Sequence, residues 1–451
     1  MWEWLFRVHY LHADPPAPLL RAALARRPLP AVLPFLPFVQ REWEGFVTSN
    51  DRTRSPSGVP FPERRVAVYL DGLFTEGLLR PVEANLPASS PRWLLAGTKR
   101  LSLEEQARRF ATEHALQEYP GAGDGYGRWF DALPQICQAV GAAQLADLPP
   151  RADHQAEFEL WLRGSYASLT AASHRPLMTH HVIGRVLTDA AESRRTLLVV
   201  VDGLRMDQWL WALQAHPQSW SDIAHTQALI AWVPTVTSLA RQAIFAGKPP
   251  AAFADHWSTT AHEEAHFRGH FEGVHAQYFK QGSRPLVDFL REVRQDARAA
   301  HLAVVVNAVD DLVHASAGDI GELHRDVIRL LGDRLLPWLG EWLGLGYTVH
   351  LTSDHGHAVA TARVRRDAQL KVFGGTQAQR ALIIEDPSSM ALELALRPDG
   401  TELWQSTGLP PGLRFVLASH SHHFAPHGGP LVAHGGCSLE EVVVPYARIG
   451  G

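Results

Sequence analysis

Thr196 to Val201 (TLLVVV) is an unbroken apolar run rich in β-branched residues, and it stops at Asp202-Gly203. A strand with apolar side chains on both faces has to be covered on both, which points to the parallel sheet of an α/β protein. Three further runs have the same texture: Leu229–Val233, His301–Val309 and Tyr347–Thr352. Between them Met206–His216, Thr237–Ala246 and Asp319–Leu343 read as helices. This alternation predicts a doubly wound α/β sheet. In such sheets ligands bind beyond the carboxyl ends of the strands.

The polar residues fall at those ends. Asp202 follows the first run, and Thr235 and Thr237 follow the second. Asp310, Asp311 and His314 follow the third, Asp354-His355 the fourth, and His434 precedes Gly435-Gly436 late in the chain. Carboxylates and imidazoles in this mix ligate divalent metals, with Zn²⁺ the best match and Mn²⁺ the second. Two such ions with a hydroxyl between them form a device for splitting phosphate esters. Asp310 and His314, four residues apart, would project to one side of a helical turn. A hydroxyl at a helix start faces free N–H groups and the positive dipole end, a suitable place for a phosphoryl oxygen. Arg241, one turn beyond Thr237, could clamp such an oxygen. Each residue also has an ordinary reading: Asp-Gly is a common turn pair, Thr favours N-caps, and Arg241 suits a surface ion pair. The ordered set after strand-like runs favours a site.

The rest of the chain sets limits. At 451 residues with 46% hydrophobic content, two or three packed domains are expected. A net charge of −5 argues against coating nucleic acid through bulk charge. Two cysteines and an N-terminus without a basic, apolar leader fit a reducing cytoplasm. No apolar stretch approaches the ~20 residues of a membrane helix. The division expected is a mixed, mainly helical region over 1–180 and a catalytic α/β domain over 181–451. In the first part Arg65–Leu70 and Arg92–Ala96 read as strands, Leu70-Asp71-Gly72-Leu73 as a turn, and Ser102 with Glu105 as a helix start. Within the second, residues 250–300 read as a helical cap whose Trp257, Phe267, Phe271, Tyr278 and Phe279 offer stacking surfaces. His262, His266 and His270 would share a helix face there, leaving a third metal site as an alternative.

Four segments carry a family resemblance: Val201–Arg205 (VDGLR), Pro234–Ser238 (PTVTS), Thr352–Gly356 (TSDHG) and His434–Gly436 (HGG). Their order resembles the alkaline phosphatase superfamily. DGLRMDQW, PTVTSLARQAIFAGKPP and HGGCSLEEVVVP are similar to its PglZ branch, found in BREX-type phage defence, across residues 180–450. The resemblance implies an alkaline-phosphatase-like fold and selects Thr237 over Thr235 as nucleophile and Asp310 over Asp311 as ligand. It implies one metal on Asp202, Asp354, His355 and Thr237, and a second on Asp310, His314 and His434. A Thr nucleophile departs from the Cys or Ser of sulfatases and the Ser of phosphoglycerate mutases, and resembles the nucleotide phosphodiesterases. The expected function is therefore a metal-dependent phosphodiesterase acting on nucleotides or oligonucleotides beside other defence proteins. The alternatives are a phosphomonoesterase and a structural subunit of a defence complex.

Overall fold

The computed structural model describes Phe6 and residues 35–49, 52–53, 55–84, 86, 90–99, 101–115, 117–149, 152–172, 178–192, 194–216, 220–316, 318–364, 379–384, 399–425 and 429–450. The chain forms two compact units, Met1–Ser102 and Leu103–Gly451.

In the first unit, helices α1 (Phe35–Thr48) and α2 (Arg64–Thr75) enclose an aromatic core. Trp43 packs on Phe46, Phe61 and Phe74, and its Nε1 donates to the Gly97 carbonyl at 2.8 Å. Both segments expected as strands are helical: 65–70 lies in α2, and Arg92–Ala96 forms one short helix. The buried set Val66, Ala67, Leu70, Leu73 and Phe74 follows a helical period, which outweighs the β-branched look of the segment. The supposed turn at Asp71-Gly72 is part of the same helix.

The second unit begins with α3 (Leu103–Glu113), α4 (Tyr126–Leu145), α5 (Ala152–Ala171) and α6 (Val182–Ala191). The six strands of the main sheet follow: β1 (Arg195–Val201), β2 (Ala224–Ile230), β3 (Ala276–Lys280), β4 (His301–Val306), β5 (Tyr347–Thr352) and β6 (Val443–Ile449). They lie in the order β2-β6-β5-β1-β4-β3. β1 pairs in parallel with both β4 and β5, and β3 with β4, whereas β6 is antiparallel to β2 and β5. The connecting helices are α7 (Met206–Ala215), α8 (Thr237–Ala246), α9 (Glu263–Gly269), α10 (Leu286–Asp296), α11 (Ala308–Ala315), α12 (Ile320–Leu330) and α13 (Leu336–Gly344).

The apolar run that opens β1 feeds two cores. Leu197, Val199 and Val201 pack with α7, α10, α12 and α13 residues such as Trp209, Phe289, Val327 and Trp342. Leu198 and Val200 face the other way, onto Val182 and Val186 of α6 and Ile244 and Phe245 of α8. This two-sided burial is the doubly wound arrangement expected. Trp129, Phe158, Trp161 and Tyr166 of α4 and α5 share a third core with Ile230, Trp232 and Leu239. The helices α4 and α5 therefore pack with the sheet domain, and the break between units lies at Ser102.

The segment read as a helical cap is built differently. Only a 3₁₀ stretch (Pro250–His256) and α9 precede β3, which extends the sheet, and α10 is the crossover from β3 to β4. Two other boundaries shift. β2 starts earlier than expected and ends at Ile230, and β4 ends at Val306, so Asp310 lies inside α11.

One polar brace ties α6 to the sheet. Asp189 accepts from Arg448 Nε and Nη2 of β6 at 2.7 and 3.1 Å. His350 of β5 approaches the same carboxylate at 3.2 Å and meets the Tyr446 hydroxyl at 2.9 Å. The His350 contact, together with Arg448 and against the opposing pull of burial, holds the Asp189 carboxyl below its usual range. Asp189→Asn should destabilise the protein by about 1.5–3 kcal/mol, the range for hydrogen bonds to charged groups. A depressed carboxyl stabilises fully above its unfolded pKa of about 4 and loses that stabilisation as pH falls toward the folded value. Urea unfolding of wild type and variant should therefore differ at pH 7 and converge on acidification below pH ~4.

Candidate active site

The carboxyl ends of β5, β1 and β4 are neighbours, and each hands over to a polar residue. Val201 leads into Asp202, Val306 into Asn307 and α11, and Thr352 into Ser353-Asp354-His355. β2 ends on the same edge and leads, through Pro234, to the start of α8 at Thr237. Because β6 runs the other way, the turn before it brings His434 to that edge.

Two groups of three ligands result. Asp202, Asp354 and His355 each offer an atom within 4.8 Å of the others, and so do Asp310, His314 and His434. The groups adjoin, since the His355 and His434 rings stack at 4.1 Å with an 11° interplanar angle. The first group is fully buried; in the second His434 is buried, Asp310 half-buried and His314 exposed. Asp311, the neighbour of Asp310, is exposed and belongs to neither.

Backbone contacts fix His355, His434 and Asp354, and side chains hold Asp202. His355 Nδ1 lies 3.0 Å from the Gly356 carbonyl, and His434 Nδ1 lies 2.7 Å from the Thr235 carbonyl. A carbonyl only accepts, so both Nδ1 atoms carry the proton and both Nε2 atoms present a lone pair. Burial, then the neighbouring His355, pushes the His434 imidazole down to about 4, which keeps it neutral at pH 7. Asp354 Oδ1 accepts from the Gly203 and His355 backbone N–H groups at 3.2 and 3.0 Å. Asp202 Oδ2 accepts from Arg241 Nη1 and, at 3.1 Å, from Asn307 Nδ2. Gly356 is required by close approach rather than by an unusual φ: a Cβ there would meet the Glu440 carbonyl oxygen at 2.1 Å. Gly435 has φ 118°, which only glycine adopts readily.

The opposite oxygens have no partner. Asp202 Oδ1, Asp354 Oδ2 and Asp310 Oδ1 are buried and accept no hydrogen bond. Burial, then the charge of Asp202, pushes the Asp354 carboxyl well up. Asp310 is pulled down instead, because its hydrogen bond with His314 and the nearby imidazoles outweigh burial. Unpaired buried carboxylate oxygens are costly unless a cation meets them. Hard oxygens beside imidazole lone pairs suit Zn²⁺ or Mn²⁺, so the residues fit a divalent metal in each group.

Thr237 Oγ1 lies 3.0 Å from Nε2 of His355, the member of the first group whose ring stacks on His434 of the second. It is the first helical residue of α8; Val236 occupies the N-cap, and no side chain caps the helix. The ordinary N-cap reading of Thr237 therefore does not hold. Thr235 is committed elsewhere. Its hydroxyl donates to the Gly436 carbonyl at 3.1 Å and accepts from Gly435 N at 2.8 Å, holding the His434 turn.

Other expectations fare differently. Arg241 does not face an open site: it is buried between Asp202 and Glu263, the latter accepting from its Nε at 2.7 Å. Arg205 is likewise paired with Asp207, at 2.8 and 3.0 Å. Trp257, Phe267 and Phe271 are buried in the cores and offer no free stacking surface, while Tyr278 and Phe279 are half-buried and the Tyr278 hydroxyl donates to Glu263. His256 Nε2 lies 3.3 Å from His266 Nε2, and His270 Nε2 donates to the Phe245 carbonyl. Among the described residues, the insertion histidines do not converge as a ligand group. Asn307, Glu263 and Ser353 support the site without having been anticipated. Glu441 is another: it accepts from Gly436 N at 2.7 Å and caps the next short helix with Ser438. Only Glu441 had a sequence signal, the Ser-x-x-Glu capping spacing.

Three solved structures are among those similar to the chain. Human ectonucleotide pyrophosphatase/phosphodiesterase 5 is 12% identical over 56% of this chain and 87% of that one, with a TM-score of 0.43. The murine protein is 13% identical over 57% and 88%, with a TM-score of 0.41. Phosphonoacetate hydrolase from Sinorhizobium meliloti 1021, with phosphonoformate, is 15% identical over 56% and 90%, with a TM-score of 0.40. No curated protein matches the chain. Residues 178–449 match the family described as the BREX system PglZ alkaline phosphatase-like domain, and with more than half its length inside that match the chain belongs to the PglZ family.

Proposed function

We propose that the protein is a metal-dependent phosphodiesterase of a bacterial phage-defence system, acting on nucleotide or oligonucleotide diesters through Thr237. Membership of the PglZ family supports a phosphoester hydrolase in BREX defence. The observation that carries the finer reading is Thr237 Oγ1 at 3.0 Å from His355 Nε2, in a ligand group whose carboxylates keep unpaired buried oxygens. Asp202, Asp354 and His355 would hold one divalent ion beside Thr237, and Asp310, His314 and His434 a second. Bound there, the ions would lower the pKa of a hydroxyl and neutralise charge on the phosphoryl group.

The chain's own groups do the rest. The helix start of α8 holds Oγ1 beside His355, and the positive end of the helix favours the anionic phosphoryl group. Thr237 gives up its hydroxyl proton to solvent and forms the new P–O bond as the ester P–O bond breaks, and the leaving alkoxide takes up a proton from solvent. Water then cleaves the phospho-threonine and returns the hydroxyl. The carbonyl contact at Nδ1 keeps the His355 ring in one tautomer throughout.

Protein purified without chelator should carry two equivalents of zinc or manganese by elemental analysis. Asp354→Asn should retain about one, and an absence of specific metal would remove the mechanism. Thr237→Ala should lower turnover of bis-p-nitrophenyl phosphate by orders of magnitude with unfolding and metal content unchanged, because no cap is lost. Activity surviving in Thr237→Ala but lost in Thr235→Ala would move the nucleophile.

Substrate charge gives a further test. Arg241, the cation the sequence offered to a phosphate, and Arg205, in the turn after β1, are both committed to buried carboxylates. A dianionic monoester needs more compensating positive charge than a monoanionic diester. The kcat/KM for bis-p-nitrophenyl phosphate should therefore exceed that for p-nitrophenyl phosphate at one pH and metal concentration. The reverse order would make the protein a phosphomonoesterase.

A further inference from the structure

Glu263 is a fully buried carboxylate outside both ligand groups. It lies at the first position of α9, in the segment between β2 and β3. Three donors surround it: Arg241 Nε at 2.7 Å on Oε1, and the Tyr278 hydroxyl at 2.7 Å and Lys280 Nζ at 3.4 Å on Oε2. The same guanidinium then reaches Asp202 through Nη1. Arg241 thus bridges two buried carboxylates, one inside the ligand set and one outside it.

The arrangement treats the two oxygens of Asp202 unequally. Oδ2 receives Arg241 and Asn307, while Oδ1 has no partner and lies 3.6 Å from His355 Nε2. A carboxylate held by one oxygen cannot rotate freely about its last bond, so the other stays aimed at the ligand group. The guanidinium is planar, and its direction is set by whatever holds its far side. Glu263 holds that side.

We infer that Glu263 and Arg241 form a positioning relay that fixes which oxygen of Asp202 faces the metal, so that β3 and α9 set the metal affinity of the group beside Thr237. The relay rests on the two-metal reading above. It assigns Arg241 to the ligand rather than to the substrate: reaching a phosphate would require withdrawing its charge from two buried carboxylates, a strongly unfavourable exchange. Tyr278 and Lys280 extend the relay into the edge strand, where they fix Glu263 in turn.

The test is Zn²⁺ titration of the full chain, freed of metal, against a chromophoric chelator. Wild type should show two sites. In Glu263→Gln one site should weaken by about 10–100-fold, the usual effect of losing a partner that orients a ligand. The Asp310 group should keep its affinity, and kcat should fall more than KM rises. Arg241→Lys should weaken the same site. Wild type with two sites and Glu263→Gln with both affinities intact, losing only thermal stability, would overturn the relay and leave the metal reading standing. Wild type that binds no zinc would overturn the metal reading and the relay with it. If Glu263→Gln does not fold, Tyr278→Phe replaces it. That variant should fold and weaken the same site several-fold, and unchanged affinity there would equally defeat the relay. Raised KM in Arg241→Lys with zinc affinity intact would return Arg241 to the role of phosphate clamp.

Discussion

Because β6 enters the sheet between β2 and β5 in the opposite direction, its first residues lie where the other strands finish. The site depends on this pairing. It sets the turn at His434–Gly436 beside the strand that leads into Asp354 and beside the Thr235 segment that leads into α8. Thr235 and Glu441 then hold that turn from two sides, and the Glu440 carbonyl closes on Gly356 so tightly that no side chain fits. A register slip of one residue in β6 would turn its alternating side chains to the opposite faces and displace His434 at once.

The electrostatics follow from the burial that the sheet enforces. Asp202 and Asp354 follow adjacent strands with almost no exposure, so burial and then the charge of Asp202 raise the cost of ionising Asp354. Part of that cost is met inside the chain, by Arg241 on Asp202 and by backbone N–H groups on Asp354. The remainder falls on the oxygens that point inward without partners. A fold that concentrates uncompensated carboxylate oxygens at one spot gives up stability there, and recovers it when a cation binds.

How much of this could be read from the sequence depends on range. The β1 strand, α7 and α8 were legible because a period or an unbroken apolar run is a local property, and α8 begins and ends where its pattern does. The seven candidate ligands were legible as a group because they follow strands. The roles of Arg241 and Glu263 were not, since a contact across 22 positions between a helix and an inserted segment leaves no spacing signal. The aromatic residues of 257–279 misled for a related reason: composition marks a ring as available, but only packing decides whether it is buried. In the N-terminal unit, β-branched residues at helical spacing were weighed by type rather than by period.

The two ligand groups differ in their contact with solvent. Asp202, Asp354 and His355 are enclosed, while His314 is exposed and Asp310 is half open. With an ion in each group, as proposed, the one in the enclosed group would leave only after several buried contacts reorganise, whereas the one at Asp310 would be released by a rotation of the His314 side chain. The pair would then differ in residence time, the inner ion exchanging slowly and the outer one following the free metal around the protein. Brief exposure to a chelator would produce a half-loaded population before an empty one, and the order of loss would be set by the depth of the sheet edge rather than by the chemistry of the ligands.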